Sequence, residues 1–90
     1  MSEQDLQKKI IICLESIGCY VIKVISANKN GVPDLVFMHQ GKFCAIEVKA
    51  KGKLSTVSRL QQHHLDKITN LGGFAFATDS LEKVTQLILL

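Results

Sequence analysis

The chain has no tryptophan, one proline (Pro33), one tyrosine (Tyr20) and three cysteines, none of them in a CxxC pair. Each scarcity removes a class of protein. A single proline, alongside 47% hydrophobic residues, does not fit an extended disordered chain. An odd number of cysteines without paired spacing fits neither a disulfide framework nor a zinc ribbon. Cys13 falls in an apolar helical run and Cys44 on an apolar strand face, so reduced core thiols and a cytoplasmic setting are expected. The longest apolar run, Ile10–Leu14, is far too short to span a membrane. The charged N-terminus MSEQDLQKK does not resemble a signal peptide. There is no internal repeat and no linker.

Ninety residues are read as one domain, 1–90. A domain of this size buries a modest fraction of its surface and gains stability by dimerising. The net charge of +3 is mild, but its distribution is uneven. Between Lys42 and Arg59 there are five basic residues (Lys42, Lys49, Lys51, Lys53, Arg59) and one acid, Glu47. Such a segment attracts a phosphate backbone; a solvated strand and loop would have the same composition.

The pattern predicts an α/β protein with the order α-β-β-β-α-β-α. Leu6, Ile10, Leu14 and Ile17 recur at helical spacing over residues 3–18, with Ser2 as cap and Gly18 as stop. CYVIKVI, residues 19–25, is rich in β-branched residues and reads as a strand. After the polar turn SANKNGV a second strand begins near Asp34, and HQGK turns the chain into a third strand, 42–50, as an antiparallel hairpin. A basic loop, 51–56, precedes a helix over about 57–71, with Leu60, His64, Ile68 and Leu71 along one side. FAFAT, 74–78, is a fourth strand, and 80–89 a short helix whose apolar side makes it a candidate dimer surface.

Alternation along the third strand puts Cys44, Ile46, Val48 and Ala50 on one face and Phe43, Ala45, Glu47 and Lys49 on the other. The second face therefore carries a carboxylate and an amine side by side. Phosphodiester hydrolysis needs a cation to neutralise developing charge, an activated water and a positive group aimed at the phosphate. Asp34 and Glu47 can supply carboxylates from adjacent strands, and the Val48 carbonyl a further oxygen, which suits a hard metal such as Mg²⁺. Lys49 can orient the water or contact the phosphate. Glu47-x-Lys49 alone is equally a surface ion pair, and Pro33-Asp34 alone an ordinary turn pair. His63, His64 and His39 lack a third soft ligand at useful spacing, so zinc is not expected. Tyr20 and Phe43 could touch DNA or pack in the core.

The ordered set GVPDLVF, FCAIEVKAKGKLS and a glutamine ahead of a helix ending in Gly72-Gly73 resembles the PD-(D/E)xK nucleases. Within that superfamily it resembles the virus-type replication-repair nuclease (VRR-NUC) domain in its short stand-alone form. The resemblance implies a restriction-endonuclease-like core, a mixed sheet of about four strands flanked by helices, and Mg²⁺ as cofactor, with Mn²⁺ able to substitute. It implies Asp34 and Glu47 as metal ligands, Lys49 as the catalytic lysine, Glu3 on the first helix as completing the metal site, and Gln61 rather than Gln62 as the motif glutamine. Read without it, Glu3 is ordinary helix-dipole chemistry. Lys29, Lys51, Lys53 and Arg59 are the candidates for DNA contact. The expected function is structure-specific cleavage of branched DNA, such as four-way junctions, by a homodimer in a bacterial cell or phage-infected host. The alternatives are an inactive DNA-binding module of the same fold, a nuclease acting on flaps or plain duplex, and a small structural protein with coincidental motifs.

Overall fold

The computed structural model describes residues 1–89. Its elements are helix α1 (Glu3–Ser16), strands β1 (Val21–Lys23), β2 (Leu35–His39) and β3 (Lys42–Val48), helix α2 (Arg59–Asn70), strand β4 (Phe74–Thr78) and helix α3 (Leu81–Ile88), with one 3₁₀ turn at Leu54–Thr56. The order is the expected α-β-β-β-α-β-α. The four strands form one mixed sheet in the order β1-β2-β3-β4, antiparallel across β1–β2 and β2–β3 and parallel across β3–β4. A parallel neighbour requires a crossover, and the segment carrying α2 provides it.

Local chemistry explains the boundaries. Ser2, Ser58 and Ser80 cap α1, α2 and α3 by accepting hydrogen bonds from the amides of Asp5, Gln61 and Lys83. The β2–β3 hairpin turns on Gln40-Gly41, both at positive φ, the geometry that continues the strand twist in a two-residue connection. Gly73 passes so close to β3 that an added Cβ would lie 2.6 Å from the Phe43 carbonyl oxygen and 2.7 Å from an Ile68 methyl. Only glycine lets α2 end there and hand the chain to β4.

The main core lies between the sheet and the α1/α3 layer. Leu6, Ile10 and Leu14 from α1 and Val84 and Ile88 from α3 pack on Leu35, Phe37, Cys44, Ile46 and Val48. On the opposite face α2 packs over β3 and β4. Strand β3 is thus covered on both sides, and every residue from Cys44 to Val48 is buried. Burying apolar area of this kind is the main favourable term holding so small a fold together.

Several expectations are corrected. The first strand is three residues long rather than 19–25, and the third ends at Val48 rather than Ala50. Ile17 is exposed, because the helix stops one residue before it. On α2 the buried leucine is Leu65; Leu60 and Leu71 are largely exposed, so the buried stripe is rotated from the one expected. The buried side of α3 is used in the core, leaving Leu87 and Leu89 partly exposed.

Candidate active site

Residues at the ends of four elements converge beside the C-terminal end of β3. The loop before β2 is held from two sides. Gly31, at φ +76°, lies against Leu60 of α2, leaving no room for a side chain, and Asn30 O lies 2.8 Å from His64 Nε2. Pro33 is buried, and the Asp34 carbonyl accepts from Val24 N, extending the β1–β2 ladder. Because Leu35 pairs with Ile46, Asp34 comes abreast of Glu47 on the neighbouring strand. Asp34 Oδ2 accepts from the Val48 amide at 2.8 Å, which fixes the carboxylate where the regular β2–β3 pairing ends.

Glu47 is only 2% exposed, so the pair it forms with Lys49 is not the surface ion pair that its spacing alone would allow. Glu47 Oε2 accepts from Gln61 Nε2 at 3.2 Å and lies 3.6 Å from Lys49 Nζ. Its other oxygen, Oε1, is buried without a hydrogen-bond partner. Burial first, and then the adjacent negative charge of Asp34, push the Glu47 carboxyl from its ordinary 4.5 to about 7; Lys49 pulls it down, while the close approach of Asp34 and the charge of Glu3 push it further up. Two neighbouring carboxylates in a poorly hydrated site, one with an orphaned oxygen, present a binding geometry for a cation. The donor set is all oxygen, which suits a hard divalent ion.

Lys49 follows the last residue of β3, its side chain 12% exposed, and its amide donates to Thr78 O beyond the end of the parallel ladder. Gln61 is the third residue of α2 and forms a reciprocal capping box with Ser58. Ser58 N donates to Gln61 Oε1 at 2.9 Å, so the amide is oriented with its NH₂ toward Glu47. Gln62 points elsewhere and donates to Asp66 on its own helix. Glu3 sits in the first turn of α1, near enough for its charge to act on Glu47. Among the described residues, no three carboxylate, imidazole or thiol groups come close enough to share one ion, so Asp34 and Glu47 form a pair beside which Glu3 stands off.

Lys29, Lys51, Lys53 and Arg59 are all exposed. Arg59 opens α2 two residues before Gln61, and the loop of Lys51 and Lys53 is tied down by Gly52 N donating to Asp79 Oδ2. His63 is exposed and His64 half-buried. His39 sits at the end of β2 rather than in the turn, half-buried and 3.9 Å from Cys19 Sγ. Cys13, Cys19 and Cys44 are free thiols. Tyr20 and Phe43 face solvent rather than the core. Sequence reasoning missed Ser58 and the His64–Asn30 contact. The Ser-x-x-Gln spacing of the capping box was the available signal for the first, while the second depends on a contact 34 residues apart in the chain.

The class that this fold and site define is an α/β domain with a four-stranded mixed sheet and three helices, carrying a buried glutamate and a half-buried aspartate beside a lysine. Residues 1–80 match the VRR-NUC domain, and the chain belongs to that family. It is similar to Putative nuclease p44 of Acyrthosiphon pisum secondary endosymbiont phage 1, with 34% identity over 62 residues that span 68% of this chain and 67% of the phage protein. A solved structure of a VRR_NUC domain superposes with a TM-score of 0.79 at 24% identity, over 97% of this chain and 94% of the other. That likeness supports the fold.

Proposed function

We propose that the protein is a Mg²⁺-dependent endonuclease that hydrolyses DNA phosphodiester bonds, selects branched DNA such as four-way junctions, and works as a homodimer in the cytoplasm of a bacterium or a phage-infected host cell. The observation that carries the reading is Glu47, a buried acid abreast of Asp34 with one oxygen unpartnered and a lysine and a glutamine on the other. A structural role alone leaves such a group costly. A nuclease gives it a use.

In this reading Asp34, Glu47 and the Val48 carbonyl hold the divalent ion, with Glu3 helping directly or through water. When bound, the ion supplies Lewis acidity at the phosphate and lowers the pKa of water; Mn²⁺, which accepts similar oxygen ligands, is expected to substitute. The protein's own groups do the rest. Asp34 is pre-positioned by the Val48 amide, so little reorganisation is needed on binding. Gln61, locked by Ser58, holds Glu47 by one oxygen and leaves the other free. Lys49 presents an ammonium beside Glu47, placed to orient the attacking water or to neutralise charge developing on the scissile phosphate. Lys29, Lys51, Lys53 and Arg59 contact the DNA backbone, a sequence-independent interaction that weakens with salt. The test is a panel of labelled four-way junction, flap, nicked and plain duplex DNA, incubated with Mg²⁺ or with EDTA. Mg²⁺-dependent cutting with preference for the junction is expected. No cutting of any substrate would refute the enzyme reading, and equal cutting of all would refute the structural preference.

A further inference from the structure

Helix α2 covers β3 and β4, but among the described residues no layer to match lies over the same face of β1 and β2. Register shows which side chains lie there. Ile22 pairs with Val36, Val36 with Ala45, and Met38 with Phe43, and residues paired across strands share a face. Ala45 and Glu47 lie under α2, so this is the α2 side of the sheet. On it Ile22 is 47% exposed, Met38 54% and Phe43 46%; Tyr20, two residues ahead of Ile22, is 77% exposed. Leu71, 78% exposed, stands at the end of α2 close to Gly73, whose backbone abuts the Phe43 carbonyl.

From Tyr20 and Ile22 through Val36 and Met38 to Phe43 and Ala45, this face carries no charged side chain; the first are Asp34 and Glu47, at the active-site end. At roughly 200 Å² for a large side chain, Tyr20, Ile22, Met38 and Phe43 leave on the order of 450 Å² exposed. That is the size of a typical monomer's largest patch, which is often functional, and more than half of the roughly 800 Å² each partner contributes to a standard interface. Tyr, Phe and Met are the residue types that interface centres favour.

We infer that this uncovered face of β1 and β2, with Phe43 at the start of β3 along its border, is the surface on which a second copy of the chain docks. The charge pattern selects that occupant over nucleic acid, because a face without cations has no hold on phosphate. It also suits self-association. The net charge of +3 is mild, and a contact free of charged side chains sets no like charges against each other at close range. A two-fold axis through the patch makes it self-complementary, each copy's Met38–Phe43 ridge meeting the other's Ile22–Val36 surface. The inference rests on the homodimer in the proposed function and places it on the sheet, away from α3.

Sedimentation equilibrium tests the surface without DNA. The wild type is expected to be a dimer at micromolar concentration. Ile22→Lys and Met38→Lys change exposed side chains, so the fold should survive, as circular dichroism checks. Each is expected to weaken dimerisation at least about 30-fold, the scale of an interface hot spot. Leu87→Lys, on α3 and 42% exposed, is expected to leave the dimer intact. A monomeric wild type overturns the inference. So does a dimer that survives both sheet variants, or one that Leu87→Lys breaks. A wild type that dimerises through this face but cuts no DNA supports the surface and removes the nuclease reading.

Discussion

Replacing Glu47 by Gln keeps the size and the acceptor for Gln61 but removes the group that burial and Asp34 make costly to ionise. For an acid whose folded pKa is raised above the unfolded one, the favourable contribution is fully present below the unfolded value and is lost as pH rises through the folded value. Here that window runs from about 4.5 to about 7. The wild-type protein without metal is therefore expected to lose stability across it, and the variant is not. A separation from 4.5 to about 7, at about 1.4 kcal/mol per pH unit, sets a ceiling of roughly 3 kcal/mol. The pull of Lys49 is already contained in that separation, so the expected advantage of Glu47→Gln at pH 8 lies near the ceiling, at roughly 3 kcal/mol. In a domain of this size that is roughly 15 °C in Tm. The assay is urea unfolding of both proteins in EDTA at pH 5, 6, 7 and 8. The titrating groups away from the site are common to the two, so the difference reports Glu47 and the charges it faces. The curves should lie closest at pH 5 and move apart up to pH 8, with the wild type the weaker. Adding Mg²⁺ at pH 8 should then stabilise the wild type and leave the variant unmoved. Parallel curves across the range would refute the claim that Glu47 is a strained acid awaiting a cation.

Lys49→Ala is expected to reduce Mg²⁺-dependent cleavage by about 10²-fold or more while changing unfolding stability little, since the side chain contributes to no apolar cluster; turnover near the wild-type rate would remove Lys49 from the mechanism. Ser58→Ala removes the α2 cap and one half of the box that orients Gln61, so it should cost about 1 kcal/mol in urea unfolding. The same variant should slow cleavage, and unchanged stability would show that the capping box is dispensable.

The element order could be read in the sequence because it rests on local signals. Helical spacing of Leu6, Ile10 and Leu14, serine caps, Gly41 in the hairpin and the Gly-Gly stop after α2 each speak within a few residues. The details missed depend on tertiary neighbours. The α2 stripe was misplaced because Leu60 is used against Gly31 at the loop, while Leu65 goes into the core. β1 is short because only Val21–Lys23 pair with β2. At the site, alternation put Glu47 on the correct face. It could not show that this face is roofed by α2, which turns an ordinary ion pair into a buried acid with a free oxygen. The orientation of Gln61, the Val48 amide on Asp34 and the distance of Glu3 from the pair all depend on contacts between elements far apart in the chain.

The central claim is that Asp34 and Glu47 form the cation site that phosphodiester cleavage requires. Its most direct test is calorimetric titration of Mn²⁺ into the wild type and into Asp34→Asn, with DNA cleavage followed in Mn²⁺ and in EDTA on the same preparations. The wild type should bind Mn²⁺ and cut DNA only when it is present. Asp34→Asn should bind Mn²⁺ at least about 10-fold more weakly, the usual scale of losing a ligand or its support, and should not cut. Equal Mn²⁺ affinity in the two proteins, or undiminished cleavage in EDTA, would contradict the assignment of this carboxylate pair as the catalytic metal site.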